Sequence, residues 1–232
     1  MSAGAQLPLD FDHRPALSGE DFLVAPGNAG AVAWLDRWPD WPGPLLAIHG
    51  PAGCGKTHLA QVFMAASGAR AIGADALGAA EPEHLLAGAR ACVLEDAEAF
   101  LGGDLEEALL HLYNTVQETG RHMVLTARRP PARWPVRLAD LRSRLKAAAA
   151  VGIGPPDDPL ITAVIVKLFA DRQLRVDADV VSFMLTRMER SFETARTLVA
   201  AVDRAALAER RNITVPLVRG VMEEMSSYTK GR

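Results

Sequence analysis

The apolar run Leu45-Leu46-Ala47-Ile48-His49 leads directly into Gly50-Pro51-Ala52-Gly53-Cys54-Gly55-Lys56-Thr57. Helical spacing then follows from Lys56 to about Ala66. A G-x-x-x-x-G-K-T turn between a buried strand and a helix constrains the fold strongly, because its backbone must wrap a polyphosphate. Glycines are needed where side chains would collide with phosphate oxygens. Amides at the start of the following helix point at the anion, and the helix dipole adds to their pull. Lys56 would neutralise the β- and γ-phosphates, and Thr57 would offer its hydroxyl to Mg²⁺. Cys54 reads as a small loop filler, although a place near a helix start lowers a thiol pKa and opens a route to oxidation.

The rest of the first 154 residues fits the same plan. Helical spacing over Asn28–Trp38 precedes the Pro-rich loop 39–44, and a strand is expected near Arg70–Ile72 with a helix near Glu83–Gly88. Ala91-Cys92-Val93-Leu94 and Met123-Val124-Leu125-Thr126 read as buried strands. Between them Asp104-Leu105-Glu106-Glu107 is expected to open a long helix, with Asp104 as cap and Glu107 reaching back. Alternation of strand and helix predicts an α/β fold, a parallel sheet covered by helices on both faces. Glu95-Asp96 ends the second buried strand, where an acid holds the Mg²⁺ shell and its neighbour orients the attacking water.

After Gly154-Pro155-Pro156 the rhythm changes to helices alone. Asp158 is expected to cap a helix with Pro159 at its first position. Helical stretches follow at 179–189, 193–209 and 215–225, the last capped by Thr214. The expected organisation is an extended arm over 1–16, an αβα nucleotide-binding domain over 17–154 and a small all-helical domain over 155–232.

No apolar run approaches a membrane span and no signal pattern opens the chain, so a cytoplasmic protein without a membrane partner is expected. Two cysteines, Cys54 and Cys92, make neither a metal pattern nor a disulfide framework. The net charge of −3 argues against a dedicated nucleic-acid binder. Its distribution is uneven: Asp75–Glu118 holds ten acids and one base, whereas Arg121–Lys146 holds eight bases and one acid. These halves are either solvated faces or two surfaces that meet head to tail in an assembly.

Together these residues carry a family resemblance. Asp21-Phe22-Leu23-Val24-Ala25-Pro26-Gly27-Asn28, the loop Gly50–Thr57 continuing as His58-Leu59, Val124–Pro131 and Leu141-Arg142-Ser143-Arg144-Leu145 resemble the AAA+ core of the DnaA replication initiators. The resemblance spans about residues 17–225, and the chain ends where that family's helix-turn-helix domain would begin. A short DnaA-like chain with an N-terminal arm resembles the Hda family of DnaA-related regulators. Gln6-Leu7-Pro8-Leu9-Asp10-Phe11 resembles the peptide that docks replication proteins on the β sliding clamp of DNA polymerase III. Such a peptide binds extended, with Gln6 hydrogen-bonding and Leu7, Leu9 and Phe11 supplying its apolar contacts.

The resemblance implies an AAA+ P-loop core followed by a helical lid. Residues Gly50–His58 would hold ADP or ATP with Mg²⁺, with ADP favoured, and Phe22, Val24 and Asn28 would border the adenine. Thr57 and Glu95 would serve the Mg²⁺ shell, with Asp96 beside them and Thr126 as sensor 1. Glu95 stands where the family has Asp, and the displaced carboxylate predicts a weak or absent ATPase of its own. Arg144 would be an arginine finger acting in trans. Glu193 falls at the sensor-2 position, leaving Arg196 or Arg190 as substitutes one turn away on the same face.

The implied partners are DnaA, the sliding clamp and further copies through head-to-tail contacts, with DNA engaged only indirectly. The implied outcome is hydrolysis of DnaA-bound ATP and negative regulation of replication initiation. Two other classes stay open. A stand-alone P-loop ATPase or small-molecule kinase would use Arg187, Arg190 and Arg196 in its lid. A DNA-binding replication factor would use the Arg121–Lys146 cluster, with an affinity that falls steeply with salt.

Overall fold

The computed structural model describes residues 23–209 and 211–230. These residues form two compact units that divide between Gly154 and Pro155. In the first, α1 (Ala29–Asp36), β1 (Leu45–His49) and α2 (Lys56–Ser67) are followed by β2 (Arg70–Ala71), α3 (Ala74–Ala79) and α4 (Pro82–Leu86). Then come β3 (Ala91–Leu94), α5 (Leu105–Glu118), β4 (His122–Ala127), α6 (Ala139–Ala147) and β5 (Ala149–Gly152). The five strands form one parallel sheet in the order β2-β3-β4-β1-β5.

Strands covered on both faces read as continuous apolar runs, and β3 is buried at every position while β1 is half-open only at His49. Alternate residues serve opposite faces. Leu45, Ala47, Cys92, Leu94, Met123 and Leu125 pack with α5 and α6 through Leu109, Leu112, Val116, Leu141 and Leu145. Leu46, Ile48, Ala91, Val93 and Val124 pack with Ala31 and Leu35 of α1 and with Leu59, Ala60 and Phe63 of α2. The sheet order sets β3, β4 and β1 side by side, so their C-terminal ends open on one edge.

Several local expectations are corrected. The helix expected over 28–38 is shorter, and the one expected over 83–88 is α4 at Pro82–Leu86, with α3 before it unforeseen. Asp104 makes no side-chain cap bond, because its backbone is already helical (φ −73°, ψ −14°) and a capping residue must be extended. The acid that matters at this end is Glu106. Its buried carboxylate accepts from the amides of Gly102 (2.6 Å), Arg137 (2.9 and 3.0 Å) and Leu138 (2.7 Å). Burial opposes its ionisation, but these amides and the Arg137 charge outweigh burial and hold the carboxyl below its ordinary value.

A depressed carboxyl pKa contributes stability that is present above the unfolded value and lost as pH falls through the folded one. Urea unfolding of the wild type is therefore expected to lose midpoint stability as pH falls below about 4.5, a loss that Glu106→Gln removes in part. Identical pH profiles for the two proteins would contradict this role.

The second unit contains α7 (Asp158–Ala170), α8 (Ala178–Leu185), α9 (Phe192–Glu209) and α10 (Val215–Lys230) around Ile161, Ile165, Phe169, Met184, Leu198 and Val202. Asp157, not Asp158, caps α7 by accepting from the Leu160 amide at 2.9 Å. Asp158 is the first helical residue, which moves Pro159 to the second position, and its carboxylate takes the Arg190 guanidinium (Oδ2 to Nη2, 3.0 Å). That bond holds the Asp158 carboxyl below the usual carboxylate range. The helix expected over 179–189 ends at Leu185 as α8. Among the described residues no helix is long and apolar enough to cross a membrane.

Candidate functional site

The phosphate-binding loop fills the step from β1 to α2. Gly53 (φ +68°) and Gly55 (φ +101°) hold left-handed backbone that an L side chain rarely adopts. Gly50 has a different constraint: a Cβ there would lie 2.3 Å from the Ile153 carbonyl oxygen, so the loop closes directly on the end of β5. Pro51 and Ala52 are exposed on the loop's outer turn, Thr57 is exposed on the first turn of α2, and His58 beside it is half-buried.

Lys56 is buried, and its Nζ donates to the carbonyl oxygens of Gly50 (2.9 Å) and Pro51 (2.8 Å), with Cys54 Sγ at 3.9 Å. A buried ammonium must be hydrogen-bonded, and these loop carbonyls do that work where phosphate oxygens could replace them. Burial pushes the Cys54 thiol up, with the Lys56 charge pulling the other way, so the lowered thiol pKa is corrected. Burial also pushes the His49 imidazole below its ordinary value.

Glu95 (half-buried) and Asp96 (exposed) follow β3, and Asp96 takes a left-handed conformation at φ 52°. Its amide donates to the Thr126 hydroxyl at 3.2 Å. Thr126 is itself buried near the end of β4, and its Cα pairs with Ile48 of β1, two residues before Gly50. The structure thus brings the loop, the acidic pair and Thr126 to one sheet edge. Glu98, unremarked in the sequence, tightens this edge: its carboxylate accepts from the amides of Arg128 (3.0 and 3.2 Å) and Arg129 (3.1 Å). No sequence signal marks Glu98, because any residues at 128 and 129 other than proline would supply those amides.

Asn28 is buried and bound within its own loop, its Oδ1 accepting from the Ala25 amide (2.8 Å) and its Nδ2 donating to the Leu23 carbonyl (3.0 Å). The Gly154 amide donates to the Gly27 carbonyl at 3.0 Å, which ties this loop, with half-buried Val24, to the chain just beyond β5. Asn28 therefore shapes the loop beside the phosphate site. Phe22 and the arm residues Gln6, Leu7, Leu9 and Phe11 lie outside the described residues.

Arg144 stands on α6 with its side chain about one-third exposed. Its Nε and Nη2 donate to the two carboxylate oxygens of Asp140 (3.0 and 3.1 Å), and Nη1 donates to Gln117 Oε1 (3.2 Å). The guanidinium carbon lies 5.4 Å from the centre of the Tyr113 ring. The bond to Asp140 raises the Arg144 pKa further. Arg137, Arg142 and Lys146 are exposed nearby in sequence, so α6 carries a cationic surface. In the second unit Glu193 and Arg196 are exposed on α9, while Arg190 is committed to Asp158.

The donor set suits a magnesium nucleotide. Mg²⁺ is held by one or two protein oxygens plus phosphates and water, and Thr57 and Glu95 offer that many. Among the described residues no group of three His, Cys, Asp or Glu forms a metal site by itself.

Residues 162–222 match the family model of the Hda lid domain. The helical unit is thus similar to an Hda lid. Domain III of DnaA from Thermotoga maritima superposes with a TM-score of 0.79 at 18% identity, covering 94% of this chain and 98% of that one. AMPPCP-bound DnaA from Aquifex aeolicus gives a TM-score of 0.65 at 21% identity, over 82% of this chain and 66% of that one. An uncharacterized protein of Haemophilus influenzae is 26% identical over 194 residues, 77% of this chain and 81% of its own. The chain thus has the fold of that DnaA domain, and in its first unit the phosphate loop lies between β1 and α2, the acidic pair follows β3 and Thr126 lies in β4.

Proposed function

We propose that this protein is an adenine-nucleotide-binding regulator that docks on the β sliding clamp and promotes hydrolysis of ATP bound to DnaA. The observation that supports this best is Arg144, a guanidinium held at the surface of α6 on a cationic helix, in a chain with an Hda lid. Hydrolysis joins water to the γ-phosphorus and breaks its bond to the β-phosphate oxygen, releasing ADP and phosphate. Negative charge develops on the transferring oxygens, and a guanidinium delivered from a neighbour meets it without chemistry of its own.

The protein's own nucleotide site is structural in this reading. Amides of Gly53–Lys56 and the Lys56 ammonium bind phosphates, and Thr57 with Glu95 holds Mg²⁺, which neutralises phosphate oxygens when bound. Thr126 fixes the Asp96 amide and so holds the acidic pair in place. Glu95 in the first acid position makes the protein's own turnover weak. ADP or ATP then serves to set the shape of the module.

Basic residues around α6 favour an acidic face on the partner, which steers encounter and register more than it adds affinity. Docking on the clamp raises the local concentration of the finger near DnaA. The test measures hydrolysis of DnaA-bound ATP with clamp loaded on DNA. Gln6→Ala/Leu7→Ala is expected to lose stimulation at limiting protein while keeping its own nucleotide affinity. Full stimulation by that variant would remove the clamp from the reading, and phosphate transfer to a small molecule without DnaA would replace it with a kinase.

A further inference from the structure

We infer that α5 is the splint that aims Arg144, with Glu106, Tyr113 and Gln117 as positioning residues acting on both ends of α6. The inference rests on the proposed role of Arg144 as the finger. Residues 106, 113 and 117 are spaced seven and four apart, which sets them on one face of α5. At one end, Glu106 accepts from the amides of Arg137 and Leu138, the two residues that lead into α6. At the other, Gln117 Oε1 accepts from Arg144 Nη1 at 3.2 Å, and the Tyr113 ring lies 5.4 Å from its guanidinium carbon.

These contacts do different work from Asp140. Asp140 sits four residues before Arg144 on the same helix, so its pairing chooses a rotamer and leaves the helix itself free to shift. Only an anchor outside α6 can fix where the helix begins and where the guanidinium rests against the sheet-packed body. Glu106 suits that task, because a carboxylate accepts all three amides, whereas a carboxamide would turn its NH₂ toward at least one of them. Leu138, at the N-terminal cap of α6, has no side-chain cap bond, so this end of the helix depends on Glu106.

The test follows the Arg144 Nε–Hε signal by ¹⁵N relaxation in the full chain, alongside the clamp- and DnaA-dependent hydrolysis assay. Glu106→Gln and Gln117→Ala are each expected to lower the order parameter of that signal. They are expected to lower the maximal hydrolysis rate roughly 10- to 100-fold, the scale of a misplaced group. The DnaA concentration at half-saturation should not move, and adding Arg144→Ala to either variant should bring it to the Arg144→Ala level, with no separate loss. If Glu106→Gln does not fold, exposed Gln117→Ala and Tyr113→Leu carry the same comparison. An unchanged Arg144 signal in the folded variants overturns the inference. A changed signal in a system where Arg144→Ala keeps full stimulation would retain the splint and reject the finger.

Discussion

Lys56→Ala is expected to lower the affinity for both ADP and ATP by roughly 100-fold or more, measured by calorimetry or by displacement of a fluorescent nucleotide. Each hydrogen bond to a charged group contributes about 1.5–3 kcal/mol, and the ammonium can make at least two to phosphate oxygens. In the structure it already holds two acceptors, Gly50 O and Pro51 O, at 2.9 and 2.8 Å. Losing the cation therefore has two effects: the β- and γ-phosphate charge is unmet, and the loop carbonyls lose their internal donor. Lys56→Met separates the two from simple loss of packing, because it keeps the aliphatic stem in a buried position. Both variants should fall together in affinity while the sheet stays folded. Wild-type affinity in Lys56→Met would mean that nucleotide is not held by this loop.

Such a forecast was available from sequence because the loop is local. A strand, an eight-residue turn with four positions of fixed type and a helix follow one another without a break, and the turn meets distant chain at few points, the Ile153 carbonyl against Gly50 and the Ala127 carbonyl that accepts from the Gly50 amide at 3.1 Å among them. Strands β1, β3 and β4 were legible for a related reason, since a doubly covered strand must be apolar along its length. Strand β5 was not. Ala149-Ala150-Val151-Gly152 has little strand propensity, and it is extended because it pairs with β1, where the Ile153 amide donates to the His49 carbonyl at 2.7 Å.

Glu98 and Glu106 show where sequence reading stops. Both bind backbone amides some thirty residues away, and an amide leaves no trace in residue type. Two adjacent acids, Asp157 and Asp158, could each cap α7. Asp157 makes the cap bond, while Asp158 pairs with Arg190 across the unit. The same limit applies at Asn28, whose bonds to Ala25 and Leu23 within its own loop are not marked by residue type.

Arg144→Ala is expected to lower the stimulated hydrolysis of DnaA-bound ATP by roughly 1,000-fold, the low end of what a finger in trans supplies. The side chain is held by Asp140, Gln117 and Tyr113, yet it remains about one-third exposed, and exposed ion pairs hold their partners weakly. Its contacts thus aim the guanidinium without locking it away, so a more negative target can draw it off Asp140. Arg144→Lys should not restore the rate, since an ammonium lacks the planar fork that meets two phosphate oxygens together. Asp140→Asn gives the opposite sign: with the competing carboxylate gone, stimulation should hold or rise, and the rise should fade as salt screens the remaining charges. Affinity for nucleotide at the protein's own loop should be the same in all three variants, because α6 adds no group to that loop. Full activity of Arg144→Ala, with Lys56→Met inactive, would move the chemistry from the partner's nucleotide to this protein's own.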